Sequence, residues 1–161
     1  MKFFTPELYQ EYQDISIDME DKWDQACLDY EDYLKSVELP ESVNNYLKKV
    51  NLHDAEVVGK DKKNDSIILI VHQENWGADK FICLLEYKNV VVTEEKWGFI
   101  KNPKHPYDSI PGELLTDKSY WMYDEFLVEG EYFIHNIMLS DGVVLKIKFK
   151  TFEFVKSKIE N

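Results

Sequence analysis

The chain has 161 residues, of which 44% are hydrophobic and 14% aromatic, and its net charge is −12. This length suits a single domain with one core, and the supply of bulky apolar side chains excludes a disordered chain. The longest apolar run, 67–71, is far shorter than the roughly 20 residues that cross a bilayer, and Glu7 interrupts the start before a signal segment can form. We expect one cytoplasmic domain over 1–161, without membrane contact.

The negative charge is concentrated at the start of the chain. Residues 1–45 contain twelve acidic residues and three lysines, a charge of −9. The remaining residues carry only −3. An acidic segment repels the phosphates of nucleic acids, and no basic stripe elsewhere compensates for it, so we predict no nucleic-acid binding. A basic protein is the partner that this charge favours.

An acidic helical segment is predicted over 1–50. Thr5-Pro6 is typical of a helix N-cap followed by proline in the first turn, and Pro40-Glu41 predicts a second start, with a short helix to about Lys49. Weak helix propensity at 14–18 favours a break in the first helical region, which extends to about Val37. Apolar residues at steps of three and four form the predicted inward face: Met19, Trp23, Ala26, Tyr30 and Val37. The acids fall on the opposite face: Asp14, Asp18, Asp21, Asp24, Glu31 and Asp32.

From residue 52 onward, short β-rich runs alternate with turn residues. We predict one meander over 52–96 and another over 121–156, joined by a loop over 97–120 that contains Pro103, Pro106 and Pro111. The expected strands are 55–60, 66–73, 80–93, 123–128, 132–139 and 143–155. The pattern of 83–92 parallels that of 145–154, which indicates an internal duplication. The predicted fold is α+β, with N-terminal helices packed on an antiparallel β-sheet built from two similar three-strand meanders.

No residue pattern specifies a reaction. Nucleophile-elbow, phosphate-loop and dinucleotide motifs are absent from a chain with only six glycines. Cys27 and Cys83 lack metal-type spacing and are predicted to be buried thiols of a reducing compartment. The doublets Glu94-Glu95 and Asp124-Glu125 point to opposite faces of their strands, which favours solvation or turn capping over a shared acid–base site. We expect no catalytic residue, no cofactor and no metal.

A pocket near the 97–120 loop is the alternative hypothesis. Its polar groups would be His53, Asp54, His105 and Asp124, and it would make the protein an enzyme or a small-ligand-binding protein. The histidines lack the spacing that gathers metal ligands, so structural roles are favoured for them. Self-association through exposed sheet edges is a third hypothesis, and the oligomeric state and strand order are left open.

The leading hypothesis is a non-enzymatic protein that binds and occludes a basic partner. Acids on the first helices would attract the partner, and aromatic residues near the sheet loops would anchor it. The candidate binding residues are Asp14, Asp18, Asp21, Asp24, Trp97, Phe99 and Tyr107. Each group has an ordinary structural explanation, because helix acids commonly confer solubility and aromatic side chains commonly cover a core.

Three short stretches carry a resemblance to a known family. They are the opening at 1–9, the segment Leu52-His53-Asp54-Ala55, and 120–125 followed by the hairpin at 140–142. Together they resemble an uncharacterised family of small acidic proteins from Bacillus-type bacteria. Members of this family are similar in size and acidity to the immunity proteins of bacterial polymorphic toxin systems. The resemblance implies a protein-binding role and supplies no catalytic residues.

Overall fold

The computed structural model describes residues 1–13, 20–74, 80–97, 118–140 and 142–159. These residues form helices α1 (Pro6–Gln13), α2 (Glu20–Ser36) and α3 (Glu41–Lys49). They also form strands β1 (Glu56–Lys63), β2 (Ser66–Gln73), β3 (Phe81–Lys88), β4 (Val92–Trp97), β5 (Ser119–Glu129), β6 (Tyr132–Leu139), β7 (Val143–Phe149) and β8 (Thr151–Lys158). The prediction of a mixed α+β fold with an antiparallel sheet is confirmed. No helix of the described residues combines the length and apolarity that a membrane span requires.

The helix starts follow their sequence signals. At α1 the amide of Leu8 donates to the Thr5 hydroxyl at 3.2 Å, which is the predicted N-cap bond. Along α2 the predicted inward residues Trp23, Ala26 and Tyr30 are buried, which follows from their spacing of three and four residues. Met19 and the predicted break at 14–18 lie outside the described residues.

All strand pairs are antiparallel, in the order β4-β7-β6-β5-β1-β2-β3-β8. β4 directly continues β3 after residues 89–91, and β8 continues β7 after Lys150. Because β3 pairs with β8 while β4 pairs with β7, two long chain segments run side by side and bend together. The bend divides the strands into a first layer (β1, β2, β3 and β8) and a second layer (β4, β5, β6 and β7).

The sheet is larger than the two three-strand meanders that the sequence predicted. The runs expected as single strands over 80–93 and 143–155 are each divided in two, which gives eight strands instead of six. Asn89 stands at the first division with a φ of 54°, a left-handed conformation that asparagine tolerates better than most residues. Each half of the chain therefore adds three consecutive strands to one layer and sends its fourth strand to the other.

The core lies between the layers. Every second residue of β2 and β3 is buried, as expected of strands with one covered face. β6 differs, because six consecutive residues, 134–139, are buried. Its outer face is covered near Asn136, which bonds to Glu125, and Glu125 in turn holds the first residues of the chain.

Helices close one of the two corners where the layers separate. Tyr46 of α3 contacts Phe126 of β5 at 5.6 Å and Phe152 of β8 at 5.5 Å between ring centroids, so it bridges the layers. At the same corner, Tyr30 and Tyr33 of α2 accept hydrogen bonds from backbone amides of β5. The opposite corner lies between β1 and β4. There, within the described residues, an ion pair joins Lys60 to Glu95.

Candidate functional site

A chain of hydrogen bonds runs through the core between the two layers. Tyr87 of β3 contacts His135 Nδ1 at 2.7 Å through its hydroxyl, and His135 Nε2 lies 2.8 Å from Asp124 Oδ2. The indole N–H of Trp121 donates to the other carboxylate oxygen at 3.1 Å. These four side chains form a polar network that is largely buried.

The donors and acceptors of this network match from end to end. An ionised Asp124 can only accept, so it receives the N–H groups of Trp121 and His135 Nε2. With its proton on Nε2, the His135 ring can accept the proton of the Tyr87 hydroxyl at Nδ1. Burial, and then the charge of Asp124, raise the pKa of Tyr87 well above its ordinary value, which keeps the phenol protonated.

The network is closed to a substrate at its Tyr87 end. His135 and Tyr87 have no exposed surface, and Phe126 stacks on the imidazole at 3.8 Å between ring centroids. Only the Asp124 side chain reaches solvent, with 22% of its surface exposed. This arrangement ties β3, β5 and β6 together, and it is chemically suited to specifying a core.

Glu125 anchors the start of the chain on the outer face of β5. Its carboxylate accepts the backbone amides of Lys2 at 2.5 Å, Phe3 at 2.8 Å and Phe4 at 3.4 Å. A fourth hydrogen bond comes from Asn136 Nδ2 at 2.9 Å. The predicted solvation or turn capping of the Asp124-Glu125 doublet was wrong for Glu125, which is fully buried, whereas Asp124 keeps 22% of its side chain exposed.

The alternative pocket is gathered only in part. His53 Nδ1 and Asp54 Oδ2 lie 3.1 Å apart, and both side chains are largely exposed. The His53 ring packs against Tyr123 at 5.1 Å, and the Asp54 amide bonds to the carbonyl of Trp121. Asp124 instead points to His135, and His105 lies outside the described residues. The described hydrogen bonds and ion pairs therefore unite two of the four predicted groups.

Of the predicted acidic surface, Asp21 and Asp24 are described, and both are exposed on α2. Asp14, Asp18, Phe99 and Tyr107 lie outside the described residues. Trp97 ends β4, and its side chain is also outside them. The predicted anchoring role of these aromatic residues stays a prediction.

The cysteines differ from each other in burial. Cys83 is fully buried, as predicted, and burial raises the pKa of its thiol to about 11. Cys27 is only half-buried, because it lies beside the buried stripe of α2 and not within it. The described residues include no group of three or more potential metal ligands.

Sequence reasoning missed the Tyr87, His135 and Asp124 network. Tyr87 and His135 are 48 residues apart, so no local spacing links them. One signal was present: Asp124 and His135 each lie two residues from apolar residues on both sides, and a polar side chain on a buried strand face needs a partner.

No protein-family model matches the chain, and no curated protein is similar to it. Among solved structures, it is similar to the crystal structure of an uncharacterized protein from Neisseria gonorrhoeae, with 14% sequence identity and a TM-score of 0.42. That similarity covers 65% of this chain and 92% of the other. None of these three comparisons assigns an activity to this chain.

Proposed function

We propose that this protein is a non-enzymatic binding protein that occludes a basic partner protein with the acidic face of α2. The family resemblance of the sequence makes an immunity-type role its most concrete form. The observation that supports the proposal is a helix that is acidic on its exposed side and fixed to the sheet on its other side.

The charge of α2 is strongly one-sided. Its 17 residues include six acids and two lysines. Asp21, Asp24 and Glu31 are exposed. In the part of the chain that the structure describes, Lys22 pairs with Glu11 and Lys35 with Asp32, so neither lysine forms an ion pair with these three acids. A surface of one sign attracts partners of the opposite sign and speeds their association.

The acidic face is held rigidly by the opposite side of the helix. The Tyr30 hydroxyl accepts the amide of Phe126 at 2.7 Å, and the Tyr33 hydroxyl accepts the amide of Val128 at 2.8 Å. These bonds satisfy amides on the side of β5 that faces away from β6. A helix fixed in this way loses little conformational entropy when a partner binds, which favours affinity.

An apolar side chain lies within the acidic face. Leu28 is 55% exposed on α2, the most of any large hydrophobic residue of this helix. Charged residues around an apolar contact are the usual arrangement of a protein interface, with a polar rim and an apolar centre. A helix of this length spans about 25 Å, which suits one side of a standard interface.

The enzyme or small-ligand hypothesis built on His53, Asp54, His105 and Asp124 has weaker support. Asp124 is occupied by Trp121 and His135, and the His53 and Asp54 pair is exposed to solvent. A catalytic acid–base pair is more often found in a cleft that perturbs it.

The test is affinity capture from native-host lysate with three tagged proteins. The first is the unchanged chain, and the second carries Asp21→Asn, Asp24→Asn and Glu31→Gln. The third is a matched control that loses the same charge from the strands and turns, through Asp61→Asn, Glu131→Gln and Glu153→Gln. Each capture is washed at low and at high salt, and the recovered proteins are identified by mass spectrometry.

We expect one basic protein to be recovered by the unchanged chain and by the control, to be lost with the α2 variant, and to be released by salt. Loss with both variants would show that only total charge matters, and it would contradict a binding face on α2. Recovery of a partner equally by all three proteins would also contradict the proposal.

A further inference from the structure

The corner between β1 and β4 contains a cavity of about 280 Å³ that is open to solvent at its mouth. It lies diagonally opposite the corner that α3 fills. Residues of both layers line it: Val57, Val58, Gly59, Lys60, Leu69, Glu95, Ser119, Leu139, Val143 and Leu145. It is therefore an opening into the space between the layers.

The strand register places two charged residues on the inner faces of this corner. An irregularity between Val57 and Gly59 shifts β1 so that Lys60 pairs with Leu69. On β4, Glu95 pairs with Leu145. Directly paired residues of antiparallel strands share a face, and both leucines are buried in the core. Lys60 and Glu95 consequently meet across the mouth as an ion pair.

The ion pair has a structural explanation that does not account for the cavity. Charged residues that point inward on edge strands prevent the strands from pairing with other chains. That role requires only Lys60 and Glu95. Beneath them, Leu69, Leu139 and Leu145 form the apolar wall of a cavity that the ion pair does not fill.

We propose that this cavity binds a small apolar molecule without net charge. Lys60 and Glu95 neutralise each other, so the mouth offers no uncompensated charge to an ionic ligand. A charged molecule would lose hydration at the apolar wall, and no unpaired opposite charge at the mouth would compensate for that loss. A neutral molecule gains the apolar wall and leaves the pair intact.

The volume sets the size of the ligand. A cavity of about 150 Å³ lined by apolar residues holds benzene. Drug-sized ligands occupy pockets of about 300 Å³ or more. The cavity of about 280 Å³ lies near the lower end of that range, which suits a molecule of one or two fused rings.

Three molecules with one ring system test the charge preference. Indole is neutral, indole-3-acetate is an anion and tryptamine is a cation. Each is titrated into the full chain while methyl resonances of Leu69, Leu139 and Leu145 are followed by NMR. We expect saturable shifts of these methyl groups with indole, and affinities weaker by about tenfold or more for the two charged molecules.

Variants show where indole binds and distinguish loss of binding from loss of folding. Leu139→Phe adds volume to the cavity and should weaken indole binding by about tenfold or more. Leu84→Phe adds the same volume at a residue that is 39% exposed, and it should leave the affinity unchanged. Lys60→Met with Glu95→Gln removes both charges with little change of volume, and indole binding should persist.

Three results would overturn the proposal. One is the absence of saturable shifts with all three molecules. Another is tighter binding of a charged molecule than of indole. The third is indole binding that is unchanged in Leu139→Phe, provided that this variant keeps the methyl spectrum of the folded chain. If that variant does not fold, loss of indole binding in the Lys60→Met and Glu95→Gln protein would contradict a site that prefers neutral ligands.

Discussion

Asp124 and Glu125 are neighbours on β5, and their carboxylates lie in different environments. Asp124 faces the core and bonds to two side chains, His135 and Trp121. Glu125 faces outward under the start of the chain and bonds to three backbone amides and to Asn136. Adjacent residues of a strand point to opposite faces, so one sequence doublet serves both sides of the layer.

The difference between them shows two ways to stabilise a buried carboxylate. Asp124 keeps 22% of its side chain in solvent and shares a network of neutral donors, whereas Glu125 has no exposed surface and depends on four N–H groups. A buried charge is costly unless its hydrogen bonds are complete. Glu125 therefore makes the fold depend on residues 2–4, which contribute few other polar contacts.

Removing the Glu125 carboxylate should have the largest effect. Glu125→Ala leaves four donors without their acceptor, and we expect the free energy of unfolding to fall by about 3–5 kcal/mol. Urea denaturation measures this loss. Glu129→Gln on the same strand is the matched control: its side chain is 57% exposed, so it should lose far less stability than Glu125→Ala. Equal effects of the two substitutions would contradict a special role for Glu125.

Removing the Tyr87 hydroxyl from the network of Asp124 should lower the free energy of unfolding by less. Tyr87→Phe removes one hydroxyl and leaves His135 Nδ1 buried without its donor, so we expect a loss of about 1–3 kcal/mol. The control is Tyr12→Phe, since Tyr12 is 40% exposed and should lose almost nothing. A neutral result for Tyr87→Phe would show that the network specifies the arrangement of the core without stabilising it.

Alkaline pH should have the smallest effect on stability, through the buried tyrosines near Asp124. Burial, and then nearby tyrosines, raise the pKa of Tyr123 to about 12, and burial also raises the pKa of Tyr87. The folded state then holds protons that the unfolded state releases above about pH 10. The contribution of these tyrosines to stability is therefore complete below that pH and is lost as the pH rises further. Urea unfolding across this range, with phenolate absorbance, measures the fall. It should be less steep in Tyr87→Phe, and an unchanged slope would contradict burial of this phenol.

Local patterns predicted most of the elements. Pro6 and Pro40 mark the starts of α1 and α3, and β2 and β6 have the predicted bounds of 66–73 and 132–139. Proline in the first turn and alternation along a strand act within a few residues, so the sequence displays them directly. Asn64 with a φ of 55° likewise forms the tight turn between β1 and β2.

Local patterns did not predict features that depend on contacts between residues distant in the sequence. The division of the long strands at Asn89 and Lys150 depends on how the layers cross, and only Asn89 gives a local signal for it. The candidate surface on α2 follows from helix periodicity at Asp21 and Asp24. In contrast, the inward position of Lys60 depends on a one-residue shift between Val57 and Gly59, and such a shift moves a side chain to the opposite face.

β4 joins the layer of β5 to β7, and β8 joins the layer of β1 to β3. This exchange affects how the chain folds during synthesis. Consecutive strands pair with each other within β1 to β3 and within β5 to β7, so these hairpins can form as soon as each is made. The first layer still lacks β8, and with it the buried ring of Phe152, until almost the whole of this sequence has been translated. A nascent chain stalled before β8 would expose the edge of β3, and it would depend on chaperones to avoid aggregation.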